Sequence, residues 1–279
     1  MRRVEYLASV KPVQKPALSP DLRNAILNLP SRDVRKISFY PSRGGEILNF
    51  DGVTIRYGQH TILNNVHWCV REGERWALTG ANGSGKSTLL SLVCADNPQG
   101  YACPIRLFGH RRGSGESIWD IKRHIGYVSP EMHRAFRHDI PALSVVAGGL
   151  FDTMGLYSRP TEEQLSQSRF WMQVFGIDHL ADRTFLRLSS GEQRLCLLAR
   201  AFVKDPELII LDEPLHGLDP HGRQLVREVI ETFCHRRHKT LVMVTHWPAE
   251  LPRCISHTLT LPSPSARRTS SDYSNKKKI

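Results

Sequence analysis

The chain has 279 residues, 40% of them hydrophobic and 23% charged, an ordinary composition for one large or two small folded α/β domains. No apolar run approaches the roughly 20 residues needed to span a bilayer; the best candidate, 143–151, is short and contains Gly148 and Gly149. The formal charge of +11 favours an anionic partner: nucleotide first, with nucleic acid or lipid headgroups as further classes.

Residues 1–45 carry five prolines and many basic side chains and read as a linker-like N-terminal extension with one short helix near 21–29. The opening "MRRVEYLASVKPVQKP" has no sustained apolar core, so no secretory signal is expected and the cytosol is the expected compartment. From residue 46 the stretches "ILNFDGVTIRYG" and "TILNNVHWCVREGERWALTG" alternate apolar and polar residues between turns, as antiparallel strands do. Short strands are expected at 105–108 and 125–129. From about 131 to 187 the spacing becomes helical. There Thr161-Glu162-Glu163-Gln164 fits a capping box, and Leu165, Phe170 and Val174 are expected to line the buried side of the helix it opens.

Strand-like runs return at 208–211 and 240–245, and between them Leu225, Val226, Val229, Ile230 and Phe233 form one face of an amphipathic helix. His235-Arg236-Arg237-His238 reads as a solvated basic helix end, and the last residues, 263–279, as a disordered basic tail. The domain proper therefore runs from 46 to 262. Its six cysteines are scattered without a C-x-x-C pair and are expected to be reduced and mainly buried.

Three stretches carry chemistry. The first is Gly80-Ala81-Asn82-Gly83-Ser84-Gly85-Lys86-Ser87-Thr88, which follows the apolar run Trp76-Ala77-Leu78-Thr79 and fits G-x-x-x-x-G-K-[ST] without a mismatch. Its glycines let backbone N–H groups turn inward around phosphate oxygens. A helix starting at Ser87 adds its unpaired N–H groups and positive dipole end. Lys86 then reaches the β- and γ-phosphates, and the Ser87 hydroxyl is a ligand for Mg²⁺. In the second stretch, "ELIILDEP", a buried strand delivers Asp212 and Glu213 to its C-terminal edge, where α/β sheets bind ligands. Asp212 suits Mg²⁺; Glu213 suits orienting or deprotonating an attacking water. The third, Leu188-Ser189-Ser190-Gly191-Glu192-Gln193-Arg194, precedes the helical "LCLLARAF", with Ser189 or Ser190 as its cap and Gly191 permitting close backbone approach.

Taken in order, these stretches resemble the motifs of the ATP-binding-cassette (ABC) ATPases, the third being similar to their L-S-G-G-Q signature. Further matches follow over about 47–261. Tyr57 in "VTIRYG" resembles the aromatic residue that stacks on adenine, Gly217-Leu218-Asp219 the D-loop, and His246 in "VMVTHW" the switch histidine at the γ-phosphate. The resemblance implies an α/β P-loop NTPase fold of ABC type, with an antiparallel β subdomain and an inserted helical subdomain at about 131–187. It implies ATP and Mg²⁺ as cofactors and hydrolysis to ADP and phosphate. It also implies Asp219 as a nucleotide-binding residue and a second cassette whose nucleotide is served by Ser189 and Gly191. Three departures stand out. Ser190 and Glu192 replace the usual Gly and Gln. His216 replaces a D-loop serine. Pro130, flanked by Ser129 and Glu131, falls where a Mg²⁺-sensing glutamine is usual.

Within the family, "HIGYVSPEMH", "LFDTMGLY", "LHGLDPHGRQLVREVIE" and "LPRCISHTLTL" look like the second cassette of the ModF-like ATPases associated with molybdate transport. That likeness implies a subunit energising a membrane permease from the cytoplasmic face of the inner membrane, paired with itself or with a separate cassette. The missing glutamine keeps a second reading open: a cytosolic ABC ATPase acting on ribosomes, nucleic acid or another target.

Overall fold

The computed structural model describes residues 17–30, 45–153 and 158–263, and the backbone of 275–277. In chain order its elements are α1 (Pro20–Leu27), β1 (Glu46–Tyr57), β2 (His60–Arg71), β3 (Arg75–Gly80), α2 (Lys86–Val93), β4 (Ile105–Leu107), β5 (His110–Arg111), α3 (Ile118–Lys122) and β6 (Ile125–Val128). They continue as α4 (Pro130–Ala135), α5 (Ala142–Ala147), α6 (Glu162–Val174), α7 (Ser190–Phe202), β7 (Leu208–Asp212), α8 (Pro220–His235), β8 (Thr240–Val244), β9 (His257–Leu261) and β10 (Asn275–Lys277).

The strands form two sheets. One is antiparallel with order β2-β1-β4-β5; the other has order β10-β9-β3-β8-β7-β6 and is parallel except at the β10 edge. The β1–β2 hairpin bends at Gly58, whose φ of 58° a turn requires and a side chain disfavours. β3 departs from the antiparallel expectation: it pairs in parallel with β8 and β9. Trp76, Ala77 and Leu78 are all buried, because helices and the other sheet cover both of its faces. The same double coverage explains why β7 and β8 are buried at every position.

Between β6 and β7 the helices α4 to α7 form a layer of their own. The capping box at Thr161 is present, its hydroxyl accepting from Gln164 N and the Gln164 side chain accepting from Thr161 N at 2.9 Å. The buried face of α6 is rotated from the expected one. Trp171, Met172 and Val174 are buried, while Leu165 and Phe170 pack only at the edge. Trp171 lies 5.2 Å from Phe202, which meets Phe233 at 4.9 Å, so one aromatic cluster ties α6, α7 and α8 together. All five apolar residues expected on the core face of α8 are buried.

The short helix expected near 21–29 is present as α1, and it is docked on the core instead of standing in a linker. Ser19 caps α1, Leu18 and Ile26 are buried in the main core, and the Leu18 N–H donates to Glu228 of α8 at 2.9 Å. The end of α8 is less solvated than its basic composition suggests. Arg236 is buried, bonded to both Asp205 carboxylate oxygens and to Leu29 O, while Lys239 pairs with Asp205 at 2.9 Å. At the other terminus, Asn275–Lys277 pairs antiparallel with β9, against the expectation of disorder there; the rest of 263–279 beyond Ser263 lies outside the described residues.

Register places the chemistry. Leu78 sits opposite Val244, and Val244 opposite Asp212, so the C-terminal ends of β3, β8 and β7 fall in one row. Each strand is followed at once by a motif: 80–88 after β3, Glu213 after β7 and His246 after β8.

Candidate active site

The loop after β3 is pressed against the hairpin. Gly85 has φ +94°, and a Cβ there would lie 2.9 Å from Leu63 Cδ2 and 3.0 Å from Ile62 O. Gly80, at φ +146°, leaves similar room, since a Cβ would lie 2.7 Å from Ser84 Oγ. Gly85 is also the N-cap of α2 and offers no capping side chain, so the first amide N–H groups of that helix are left for a ligand. Lys86 folds across the loop and donates to Gly80 O at 2.8 Å and Ala81 O at 3.1 Å. Desolvation holds its ammonium below the usual lysine range, with Asp212 and Glu213 opposing that shift.

A cavity of about 450 Å³ opens over the loop, lined by residues 82–88, Ile62, Pro130, Glu131, Asp212, Glu213 and His246. Asp212 is buried there, and its carboxyl is pushed up to about 7 by desolvation first, then by Glu131 and Glu213; Lys86 and Arg194 work against the rise. Glu213 adopts φ +49°, a left-handed conformation that costs a non-glycine residue energy, held by its N–H bond to Val244 O at 2.9 Å. Its Oε1 lies 2.9 Å from His246 Nε2. The histidine segment is itself braced: Thr245 Oγ1 donates to Glu250 at 2.7 Å and accepts from Trp247 N at 3.1 Å.

The residues fit a nucleoside triphosphate with a divalent cation. Ser84 Oγ is buried in the loop with no partner among the described residues. Burial first, and then the neighbouring Glu131 and Glu213, lift Asp212, a cost that a divalent cation beside it would relieve. Among the described residues there is no cluster of three or more acidic, histidine or cysteine side chains that could hold a metal ion by itself.

Tyr57, Ser189, Gly191 and Asp219 do not line this cavity. Tyr57 stands at the end of β1, 50% exposed, its hydroxyl accepting from Asn97 Nδ2 at 3.0 Å. Ser189 rather than Ser190 caps α7, in a reciprocal box with Glu192; the Glu192 carboxylate accepts from Ser189 N at 2.7 Å. A glutamine at 192 would close the same box, as Gln164 does in α6, so the cap does not account for the departure. Asp219 caps α8 by accepting from Gly222 N at 2.8 Å. These helix starts meet: a Cβ on Gly191 would lie 3.7 Å from Gly217 O. Together they form an outward surface separate from the phosphate loop.

Sequence reasoning missed two participants. Ile62 lines the cavity because β2 passes beneath Gly85, a contact no local motif announces. Arg194 is buried with its Nε and Nη1 unpartnered among the described residues, and its charge acts on Glu213 and Asp212. Its place five residues into α7 marks it only once the turn of that helix is known.

A family profile described as "ABC transporter" matches residues 63–216. The ABC transporter ATP-binding protein ModF of Escherichia coli is 46% identical over 220 residues, covering 78% of this chain and 45% of ModF. An uncharacterized ABC transporter ATP-binding protein of Schizosaccharomyces pombe is 32% identical over 231 residues, which is 47% of its own length. The chain therefore spans about half the length of these two relatives. The uncharacterized ABC transporter ATP-binding protein YlmA of Bacillus subtilis is 33% identical over 74% of this chain and 78% of its own. In structure, the bacterial ABC transporter cassette MJ0796, described as dimeric, superposes with a TM-score of 0.65 at 23% identity, covering 77% of this chain and 94% of that one. With the phosphate loop, the paired carboxylates and these likenesses in place, the chain belongs to the ABC transporter ATP-binding family.

Proposed function

We propose that the chain binds MgATP over residues 80–88 and hydrolyses it to ADP and phosphate, working with a second cassette. The observation that carries this reading is the gathering of Lys86, Ser87, Asp212, Glu213 and His246 around one cavity at the ends of three adjacent parallel strands. Backbone N–H groups of 83–88 and the Lys86 ammonium bind and orient the phosphates. Ser87 and Asp212 hold the magnesium ion, which when bound offsets charge on the phosphate oxygens. Glu213 orients a water and draws on its proton, and His246 keeps that carboxylate in place through the 2.9 Å contact. Tyr57 stacks on adenine. Ser189, Gly191 and Asp219 serve the nucleotide of the second cassette, because they form a surface apart from their own phosphate loop.

The system it serves is read from the relatives. Likeness to ModF, an ABC transporter ATP-binding protein, supports a transport-associated role; the cytoplasmic membrane face, the permease and the link to molybdate come from the sequence resemblance alone. One observation favours the alternative, a cytosolic ATPase acting on ribosome, nucleic acid or another target. Pro130 opens α4 with Ser129 as its cap, so no glutamine side chain follows β6. Phosphate release tests the first part: Glu213→Gln should bind MgATP normally and turn over at least about tenfold more slowly, equivalent to about 1.4 kcal/mol of barrier. Wild-type turnover in that variant removes Glu213 from the catalytic role. Capture of a permease from membranes in the presence of ATP supports transport; capture of ribosomes alone supports the alternative.

A further inference from the structure

Asn97 lies just beyond α2, outside every motif, and opens the single helical turn Pro98–Ala102. It is only 7% exposed, so its amide must find partners inside the fold. It finds them in three directions. Its Oδ1 accepts from Gln99 N at 3.0 Å and caps the turn. Its Nδ2 donates to the Tyr57 hydroxyl at 3.0 Å and to Ser91 Oγ at 3.3 Å.

Ser91 Oγ in turn donates to Thr88 O at 2.7 Å. A continuous route of hydrogen bonds therefore runs from the Tyr57 ring through Asn97 and Ser91 to Thr88, the last residue of the phosphate-loop motif. Backbone bonds brace its middle, since Asp96 N and Asn97 N both donate to Ser91 O, at 2.9 and 3.2 Å. A second strut holds the strand end: Gln99 Nε2 donates to Arg56 O at 3.0 Å. Tyr57 itself is 50% exposed, yet its tip is fixed. A half-exposed ring with a free tip would sample several rotamers, and a ligand stacking on it would bear the cost of ordering it.

We propose that Asn97 is the positioning residue for Tyr57, holding the ring at a set place relative to the phosphate loop so that a planar base meets an ordered platform. The proposal rests on the reading of Tyr57 as the residue that stacks on adenine, and adds the side chain that makes the stack rigid. Asn97 acts through Tyr57, so its effect belongs to the base of the nucleotide and not to its phosphates.

Titration calorimetry of the full chain tests this with two probes: MgATP, and magnesium tripolyphosphate, which offers the phosphates without a base. Asn97→Ala should weaken MgATP binding roughly three- to tenfold, the scale set by ordering one side chain, and leave tripolyphosphate binding unchanged. Tyr57→Phe should lose the same amount, and adding Asn97→Ala to it should cost nothing more, because the bond is already gone. Asn97→Asp should recover most of the loss: one carboxylate oxygen keeps the cap on Gln99 N, and the other accepts from the Tyr57 hydroxyl. Equal losses for MgATP and tripolyphosphate would place the action of Asn97 in the phosphate loop and overturn the proposal. Additive losses in the double variant would overturn it too, since Asn97 would then act apart from Tyr57. Unchanged MgATP affinity in Asn97→Ala beside a loss in Tyr57→Ala overturns the role of Asn97 and leaves the stacking reading standing. Unchanged affinity in both overturns the stacking reading, and the proposal with it.

Discussion

The phosphate-loop cavity and the surface around Gly191 and Gly217 differ in where their hydrogen bonds go. In the first, polar groups wait for a ligand: α2 begins without a side-chain cap, Ser84 Oγ has no partner among the described residues, and Asp212 is lifted by burial and then by neighbouring carboxylates. In the second, Ser189, Glu192 and Asp219 are satisfied by their own helix starts. A surface that is finished locally and directed outward is suited to a second body, whereas the first is unfinished without a ligand. On the proposed function, the chain offers one binding loop that a ligand completes and one half of a site shared with a second cassette.

The sharpest break in that comparison comes from Lys86→Ala. It removes a charged donor to phosphate worth about 1.5–3 kcal/mol per bond, so ATP affinity should fall roughly ten- to hundredfold by titration calorimetry. An unchanged affinity would place the ligand elsewhere.

The raised carboxyl of Asp212 gives the next largest effect. Its proton is held more tightly in the folded chain, near 7, than at the ordinary value of 3.8. Without ligand, its contribution to stability therefore falls as pH rises between those values. Magnesium must displace the same proton, so MgATP binding should strengthen with rising pH by up to about tenfold per unit below 7, then level off. Asp212→Asn should flatten both profiles; a profile unchanged in that variant points to another group.

Tyr57→Ala should weaken ATP binding by roughly 1–3 kcal/mol, the worth of a base stacked on an aromatic ring, while Tyr57→Phe keeps the stack and loses only the bond to Asn97. If only melting temperature changes in the alanine variant, the ring packs and does not stack. The smallest expected effect belongs to the outward surface. Ser189→Ala removes the α7 cap and should lower stability by about 0.5–2 kcal/mol without changing nucleotide affinity in the isolated chain. A direct loss of affinity there would merge the two surfaces into one site.

Legibility in the sequence followed the same division. Residues 80–88, Asp212, Glu213 and His246 were readable because each set is contiguous and follows a buried strand, so local order fixes global place. β3 was misread because Trp76 to Leu78 carry no polar alternation of their own, and the side of the sheet on which they pair is decided by β8 and β9. The docking of α1 depends on Leu18 and Ile26 meeting α8 some 200 residues away, beyond the reach of periodicity. Trp171 and Met172 displaced Leu165 and Phe170 from the core face of α6 because the aromatic partners Phe202 and Phe233 set its rotation.

The most direct test of the half-site claim is the solution mass of Glu213→Gln with and without MgATP, measured by light scattering, alone and combined with Gly191→Glu. Slowed hydrolysis should trap the closed pair, so the single variant should double its mass only when MgATP is present. A carboxylate at Gly191 would face the γ-phosphate of the other cassette, so the double variant should bind ATP and stay monomeric. A Glu213→Gln chain that binds MgATP and remains monomeric, or a dimer indifferent to Gly191→Glu, contradicts the pairing of this surface with a second copy.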